Sequence, residues 1–293
     1  MARSSEVRPI AGRVVAISGA GRGIGKATAR SLARRGARVA IGDLDVDVAE
    51  AAAKEIGEGV IALPLDVTDR DSFRDFVAGV EEQLGPIDVM VNNAGIMVLS
   101  EFLDEPPESI ERQFAVNVMG VVNGMQLVLP GMIERGRGHV VNIASSAGKF
   151  ANPGLAVYTG TKHAVVGITD AVRAELRNAP VDFSVVMPAI VETELSSGMG
   201  STAGVKVLKP EEIADAIVEA LETGRYHVWV PKSLSPIHKT LNALPLSFSD
   251  RAMGIFKSEQ AIRKGIDAPE RAEYQARIEK AAGAGQLGPG EEA

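Results

Sequence analysis

The feature that most constrains the fold is a run of glycines near the N-terminus, set between an apolar segment and a helix-forming segment. Residues Arg13 to Ser18 have the pattern of a short buried strand, and the stretch after the glycines favours a helix to about Arg35. Glycine lets the backbone approach a pyrophosphate, and a helix N-terminus offers unpaired N–H groups. The order therefore predicts a phosphate-binding loop. Its candidate contacts are Gly19, Gly21, Arg22, Gly23, Ile24 and Gly25.

The spacing of these glycines differs from the dinucleotide fingerprint G-x-G-x-x-G. After Gly19 and Gly21, the third glycine position is occupied by Ile24. If the three glycines of the loop are instead Gly19, Gly23 and Gly25, their spacing is that of another lineage of glycine-rich loops. Because ordinary turns are also rich in glycine, the loop alone is weak evidence for a cofactor.

A second predicted strand, Arg38 to Gly42, ends on Asp43, 18 positions after Gly25. An acidic residue near this position can accept hydrogen bonds from the adenosine ribose, although an aspartate that only opens the next helix is the alternative. The carboxylate would repel a 2′-phosphate about 4 Å away by roughly 4 kcal/mol. We therefore predict NAD, bound by Asp43 and Leu44. Arg22 leaves NADP open, since a guanidinium in the loop could pair with that phosphate.

Further apolar segments also end on polar residues, and short strands alternate with helices of ten or more residues. This alternation predicts an α/β fold with helices on both faces of the sheet, that is, a doubly wound (Rossmann) three-layer sandwich with a mainly parallel, seven-stranded sheet. The carboxyl ends of parallel strands line the ligand crevice. Candidate cofactor residues at these ends are Asp66, Val67, Asn93, Ala94 and Gly95.

The candidate chemistry lies further along the chain. Tyr158 and Lys162 are four residues apart, and Ser145 precedes the tyrosine by thirteen residues. On a helix from Val157 to Arg177, positions i and i+4 share one face, so the phenol and the ammonium would point into the same space. A free phenol has a pKa of about 10, and a fixed cation nearby lowers it. Alone, the pair could arise by chance on a surface helix; together with the glycine loop it predicts a proton-transfer site.

Five ordered motifs resemble those of the short-chain dehydrogenase/reductase family (SDR) in its single-domain form, over roughly Arg13 to Pro231. These motifs are the Gly19/Gly23/Gly25 loop, Asn92-Asn93-Ala94-Gly95, Asn117, Ser145 and the pair Tyr158/Lys162.

The resemblance implies a role for each catalytic residue. Tyr158 would be the acid or base, and Ser145 would hydrogen-bond the reacting oxygen. Lys162 would lower the pKa of the tyrosine and hold the nicotinamide ribose, and Asn117 would position a water in the proton relay. The resemblance also implies that Asp66 and Val67 lie at the adenine and that Asn93 and Gly95 lie along the cofactor.

One departure concerns the turn after the sixth strand, where the family usually has Pro-Gly and this chain has Pro188-Ala189. If that backbone needs a positive φ, alanine costs about 1 kcal/mol there. The resemblance still implies nicotinamide contacts by Pro188, Ile190, Val191 and Thr193.

Composition excludes several function classes. The net charge of −7 argues against nucleic-acid binding, and the chain has no cysteine for disulfides or thiolate metal sites. The four histidines lack metal-ligand spacing, so no metal is expected. Residues 1–11 lack the apolar core of a signal peptide, and we expect a cytoplasmic protein.

The uncharged run from Gln113 to Ile133 has the length of a membrane span. Its polar residues favour instead a helix buried against the sheet. By the family resemblance, the helix would also pack against a partner subunit in a dimer or tetramer.

We divide the chain into a dinucleotide-binding and catalytic domain (1–232), a helical C-terminal extension (233–282) and a disordered tail (283–293). Residues 225–264 carry seven basic and two acidic side chains, so the extension could contact an anionic membrane. Packing over the substrate cleft or on a neighbouring subunit is the favoured alternative.

The substrate is the least constrained prediction. Apolar residues around the catalytic motifs, including Ile96, Met97 and Leu155, indicate a hydrophobic secondary alcohol or ketone of the steroid, retinoid or lipid kind. Two other functions stay open: an NADP-dependent carbonyl reductase, and a dinucleotide-binding sensor or scaffold without catalysis. The sensor is less favoured because such proteins tend to lose the tyrosine or the lysine, and this chain keeps both.

Overall fold

A computed structural model of the protein describes residues 8–199, 207–245, 262, 265–266 and 268–284. The described residues contain one seven-stranded sheet in the order β3-β2-β1-β4-β5-β6-β7, and every neighbouring pair is parallel. The doubly wound prediction is confirmed. The strands are β1 Val14–Ser18, β2 Arg38–Asp43, β3 Val60–Pro64, β4 Val89–Asn92, β5 Gly138–Ile143, β6 Val181–Pro188 and β7 His227–Val230.

Helices cover both faces of the sheet, and alternate residues of each strand supply the two cores. In β1, Val15 and Ile17 pack on the face covered by α1, α2 and α7, whereas Val14 and Ala16 pack on the face covered by α3, α5 and α6. The helices are α1 Gly23–Ala33, α2 Val46–Ile56, α3 Arg70–Leu84, α4 Pro107–Phe114, α5 Gly120–Glu134, α6 Ala156–Glu175, α7 Pro210–Thr223, α8 Leu234–Asn242 and α9 Ala272–Ala284.

Two of the helices that follow strands begin at a side-chain cap. Asp45 accepts a hydrogen bond from the backbone N–H of Val48 at the start of α2, and Asp69 accepts one from Asp71 at the start of α3. The N-cap position of α1 is Arg22, which makes no such bond. The first turn of α1 therefore keeps unpaired N–H groups, and these lie beside the glycine loop.

The uncharged run is one continuous helical stretch, in which the π-helical turn Ala115–Met119 joins α4 to α5. The stretch Pro107–Glu134 has the length and composition of a membrane span, but 56% of its most apolar window is buried inside the protein. The buried core helix of a globular protein can have the same length and apolar composition. Phe114, Met119 and Ile133 on this stretch are exposed. The partner subunit predicted to cover it stays a prediction.

Two described helices, α8 and α9, lie in the part of the chain assigned to the C-terminal extension. The division into domains itself stays a prediction. Helix α9 continues to Ala284, so the predicted tail begins two residues too early; alanine-rich sequence favours continuing the helix. The rest of the tail, and much of the basic segment predicted to reach a membrane, falls outside the described residues.

His139 is a buried titratable group in the centre of the sheet. Its Nε2 lies 2.8 Å from the Ser184 hydroxyl, which itself donates to the Arg225 carbonyl oxygen, so Nε2 carries the proton. Nδ1 is buried without a hydrogen-bond partner. Burial lowers the pKa of His139 to about 4, with the Asp182 charge acting weakly in the opposite direction. His139 is therefore a neutral core residue.

We expect His139→Gln to remove part of the acid sensitivity of the fold. Between pH 6.5 and about 4 the unfolded chain binds a proton at this histidine and the folded chain does not, so the wild type loses up to about 3 kcal/mol of unfolding free energy on acidification from this residue. Urea unfolding at pH 7 and pH 4.5 measures the difference. The exposed His163→Gln is the control and should behave as wild type. Equal acid losses in wild type and His139→Gln would contradict the assignment.

Candidate active site

The carboxyl ends of the strands open into a cavity of about 1440 Å³. Most of the predicted site residues line it, although they come from many separate parts of the sequence. Those in the wall are Gly19, Arg22, Gly23, Ile24, Asp43, Leu44, Asp66, Val67, Asn93, Ala94, Gly95, Ser145, Tyr158, Lys162, Pro188, Ile190, Val191 and Thr193. Gly21, Gly25 and Asn117 lie behind the wall.

The glycine loop is fixed by the end of the neighbouring strand β4. The Asn93 side chain donates hydrogen bonds to the carbonyl oxygens of Ser18 and Gly19, at 2.9 and 2.8 Å. A Cβ at Gly25 would lie 2.6 Å from the Ala20 Cα and 2.7 Å from the Asn93 amide nitrogen. No side chain fits there. Gly25 therefore serves the loop by allowing close packing.

Gly19 and Gly23 face the cavity and have positive φ angles of 62° and 52°, which favour glycine. A Cβ at Gly19 would lie 2.7 Å from the Ala94 Cα, and one at Gly23 would lie 3.2 Å from the Thr193 methyl carbon. The loop thus presents bare backbone to the cavity. Since the first turn of α1 has no side-chain cap, its N–H groups are free for an anion.

Asp43 lies at the end of β2 next to this loop. One carboxylate oxygen accepts a hydrogen bond from the Gly21 N–H at 2.9 Å, and the other accepts one from the Asp45 N–H at 3.2 Å. These bonds fix the carboxylate at the wall of the cavity. A Cβ at Gly21 would come 3.0 Å from it, so Gly21 allows the contact although it does not line the cavity.

Basic side chains at this end of the cavity are already paired with carboxylates. Arg22 pairs with Asp45 at 3.0 Å and with Glu194 at 3.6 Å. Lys26 and Arg30, which also line the cavity, both pair with Glu55. The positive charge that could attract a 2′-phosphate is therefore largely neutralised.

Asp66 and Val67 lie in the wall beyond Asp43. The Asp66 carboxylate accepts hydrogen bonds from the backbone and the hydroxyl of Thr68, at 2.9 and 2.7 Å, which fixes the turn after β3. The Val67 carbonyl accepts one from Asn123 of α5. Arg112 lines the same region and was not foreseen from the sequence; burial lowers its pKa, and the Asp66 charge acts in the opposite direction.

Tyr158 and Lys162 lie on one face of α6, as predicted, and both are almost fully buried. Ser145 precedes a short 3₁₀ turn and accepts a hydrogen bond from the Ala147 N–H at 3.1 Å. A Cβ at Gly148 would lie 2.7 Å from the Lys162 carbonyl oxygen, so glycine lets this turn pack closely on α6. This packing brings Ser145 close enough to the Tyr158 phenol to affect its pKa.

The pKa of Tyr158 departs from its ordinary value in the direction opposite to the one expected. Burial raises it, a hydrogen bond from Ser145 opposes the rise, and the nearby Tyr274 adds to it. Burial outweighs any lowering by Lys162 in the protein without cofactor, and the role of Lys162 in lowering this pKa stays a prediction. The Lys162 Nζ lies 5.7 Å from the centre of the tyrosine ring and donates to the Ile143 carbonyl at 3.0 Å. Burial lowers the pKa of Lys162 itself to about 8.

Asn117 belongs to the π-helical turn and is completely buried. Its side chain accepts a hydrogen bond from the Ile96 N–H and donates to the Ile96 carbonyl, at 2.8 and 2.9 Å, and it also donates to the Thr161 hydroxyl at 3.0 Å. Asn117 thus joins the loop after β4 to α6. Its role in positioning a water stays a prediction.

The turn after β6 keeps its predicted residues in the cavity wall despite the alanine in the glycine position. The Ala189 N–H bonds to the Val230 carbonyl at 2.8 Å and so continues the pairing with β7. Val191 forms a parallel bridge with Leu208, and the Thr193 hydroxyl bonds to the Val191 carbonyl at 3.4 Å. The turn after β6 thus accommodates alanine in the position where the family usually has glycine.

The substrate end of the cavity contains residues that sequence reasoning missed. Ile262, Tyr274, Arg277 and Ile278, from the far C-terminal part of the chain, line it. Ile96, Met97 and Leu155, the apolar residues named from the sequence, line the cavity. The sequence left packing of the C-terminal extension over the substrate cleft as one of the favoured alternatives, but no local pattern singled out these four C-terminal residues.

The wall fits a dinucleotide. The bare glycine backbone and the uncapped first turn of α1 suit a pyrophosphate, and the fixed Asp43 carboxylate suits ribose hydroxyls. Tyr158 and Lys162 line the same cavity. Within the described part of the chain, no three His, Cys, Asp or Glu residues cluster as metal ligands would.

Known proteins resemble this chain in sequence and in fold. The chain is 36% identical over 226 residues to glycine betaine reductase ATRR of Emericella nidulans, an alignment that covers 73% of this chain but only 18% of that longer protein. It is 39% identical over 189 residues to sorbitol dehydrogenase of Cereibacter sphaeroides, covering 64% of this chain and 74% of that one. The crystal structure of 3-ketoacyl-(acyl-carrier-protein) reductase from Brucella melitensis complexed with NADH superposes with a TM-score of 0.69 and 31% identity, over 75% of this chain and 97% of that chain.

The family model for short chain dehydrogenases matches residues 13–203, which is more than half of the chain and includes the glycine loop, the catalytic serine position and the tyrosine–lysine pair. The resemblance seen in the sequence is thus confirmed. The protein is a member of the short-chain dehydrogenase family, and hence an oxidoreductase that acts on CH–OH or C=O groups with a nicotinamide cofactor.

Proposed function

We propose that the protein is an NAD-dependent oxidoreductase that interconverts hydrophobic secondary alcohols and ketones, with Tyr158 as the acid or base. The observation that carries the proposal is the convergence of Ser145, Tyr158 and Lys162 on the same cavity as the glycine loop and Asp43. A sensor or scaffold would have no need of a buried phenol and ammonium beside the cofactor cavity, because burial of such groups is costly.

A nicotinamide held in this cavity would supply the hydride chemistry, in either direction. The Tyr158 phenol is protonated at neutral pH, as an ordinary phenol is, and can give its proton to a ketone oxygen. Ser145 lies near the phenol and would hydrogen-bond the reacting oxygen beside it. Lys162, held by the Ile143 carbonyl, supplies a cation close to the phenol when the proton leaves. In alcohol oxidation the proton moves the other way.

The preference for NAD rests on the charges around Asp43. The cations Arg22, Lys26 and Arg30 in this part of the wall are all paired with acidic side chains, and Asp43 adds a further carboxylate. A 2′-phosphate would meet this carboxylate, while these three cations are already paired with other carboxylates. The ribose hydroxyls of NAD would instead donate hydrogen bonds to Asp43.

The substrate class rests on the apolar wall near Tyr158. Met97, Leu155 and Ile262 form a cluster with the tyrosine, and Leu195 and Met199 pack against it. Apolar walls gain free energy from burying apolar substrate surface, whereas sugar hydroxyls would be left without partners there. This argument separates the protein from the relative named sorbitol dehydrogenase, whose name indicates a polar alcohol.

We expect Tyr158→Phe to reduce kcat by roughly 10²–10⁴-fold, because the proton donor is lost while the ring still packs. Steady-state rates with NADH and 4-phenyl-2-butanone provide the measurement, and fluorescence titration should give an NADH dissociation constant near that of wild type. The matched control is Tyr226→Phe, since Tyr226 bonds to Asp170 away from the cavity. If Tyr158→Phe keeps the wild-type rate, the assigned acid is wrong.

We expect Asp43→Ser to shift the preference toward NADP. Loss of the carboxylate removes the repulsion of the 2′-phosphate, so the ratio of kcat/KM with NADH to kcat/KM with NADPH should fall by roughly 10²-fold. Asp47→Ser is the matched control, because Asp47 is exposed and lies outside the cavity wall. A wild type that prefers NADPH, or an unchanged ratio in Asp43→Ser, would refute the role of Asp43.

The substrate proposal predicts a higher kcat/KM for 4-phenyl-2-butanol than for sorbitol with NAD, by at least roughly tenfold, because each buried CH₂ contributes about 0.8 kcal/mol. Initial rates of NADH formation at several concentrations of each alcohol measure this ratio. Faster turnover of sorbitol would contradict the hydrophobic assignment and leave the catalytic assignment untouched.

A further inference from the structure

The substrate end of the cavity is partly built by residues that lie beyond the family match. That match ends at residue 203, and the last strand, β7, ends at Val230. Ile262, Tyr274 and Arg277 nevertheless line the same cavity as Tyr158. We name residues 262–278, as far as they are described, the closing segment. It is additional to the fold that holds the cofactor.

Arg271 attaches the closing segment to two loops of the catalytic domain. Its side chain is completely buried, and its guanidinium donates hydrogen bonds to the carbonyls of Leu195 and Ser197, at 3.1 and 3.0 Å. It also donates to the Met97 carbonyl. A buried cation bound by several carbonyls is costly to displace. Arg271 therefore holds the closing segment against both the loop after β4 and the turn after β6.

Further contacts make this docking specific. The Ser197 hydroxyl donates to the Glu270 carbonyl at 2.7 Å, and Arg277 forms an ion pair with Glu194. A Cβ at Gly198 would lie 2.7 Å from the Ala268 Cβ, and one at Gly154 would lie 2.7 Å from an Ile262 methyl carbon. Glycines on the catalytic side thus allow the close approach.

Tyr274 is the side chain that this docking directs to the site. Its hydroxyl accepts a hydrogen bond from the Met97 N–H at 3.0 Å, and its ring lies between two guanidinium groups, 5.0 Å from Arg271 and 5.6 Å from Arg277. These contacts fix both ends of the side chain. Tyr274 is close enough to Tyr158 to affect the pKa of its phenol.

We propose that Tyr274 determines which alcohols the enzyme accepts, by forming with Ile262 the wall that limits substrate size beside Tyr158, and that Arg271 is the positioning residue that holds Tyr274 there. The inference rests on the proposed alcohol oxidoreductase function and adds to it the residue that sets substrate size.

The test compares 2-butanol with the larger 4-phenyl-2-butanol, each oxidised with NAD by the full chain. Tyr274→Ala removes the ring and enlarges the cavity, so the ratio of kcat/KM for the larger alcohol to that for 2-butanol should rise at least roughly tenfold. The NADH dissociation constant should stay within about twofold of wild type, because the contacts that Tyr274 makes are to Met97, Arg271 and Arg277. Tyr226→Ala, the same substitution away from the cavity, should leave the ratio unchanged.

Arg271→Met provides the test of positioning. It keeps an unbranched side chain but loses the hydrogen bonds that hold the closing segment, so the ratio should move in the same direction, mainly through KM. Arg271→Lys keeps the charge and should restore part of the wild-type ratio. A merely structural role would lower the melting temperature in these variants and leave the ratio as in wild type.

A Tyr274→Ala variant that binds NADH and keeps the wild-type ratio overturns the inference while leaving the proposed function intact. If Tyr274→Ala does not bind NADH, Tyr274→Leu is judged by the same ratio. A wild type that oxidises neither alcohol with NAD or NADP removes the proposed function and this inference together.

Discussion

The strands run in one direction, and each therefore delivers its carboxyl end to the same edge of the sheet. This constraint gathers the glycine loop after β1, Asp43 after β2, Asn93 after β4 and Ser145 after β5 around one cavity. Hydrogen bonds then link the ends of neighbouring strands at this edge. For example, the Asn93 side chain after β4 donates to the carbonyls of Ser18 and Gly19 at the end of β1. Without this alignment, the tyrosine and lysine of α6 would have no cofactor cavity to face.

The parts predicted well from the sequence depend on local patterns. Strand periodicity, glycine positions and the i, i+4 spacing of Tyr158 and Lys162 each act over a few residues, and the structure has the corresponding elements. The succession of strands and helices along the chain then limits the sheet topology, because short alternating strands and helices can be connected in only a few ways. The cap formed by Asp69 also follows a local rule, because aspartate is a preferred N-cap residue.

The parts that sequence reasoning missed depend on tertiary contacts. The raised pKa of Tyr158 comes first from burial, which no spacing rule reveals. Arg271 bonds to Met97 across 174 residues of sequence, and this contact brings Tyr274 into the cavity wall. An isolated arginine near the C-terminus carries no sign of such a partner. The residues at the carboxyl ends of the strands can thus be predicted from local sequence patterns. The substrate end of the cavity depends on contacts between distant segments.

The central claim is that this cavity holds a nicotinamide and an alcohol side by side, with Tyr158 taking the proton. The most direct test is to incubate the full chain with NAD and 4-phenyl-2-butanol deuterated at the carbinol carbon, in ordinary water, and to record the mass spectrum of the reduced cofactor. The account predicts that the reduced nicotinamide carries the deuterium, because the hydride passes directly from substrate carbon. Reduced cofactor without deuterium, or no reduced cofactor with this or any hydrophobic secondary alcohol, would contradict it.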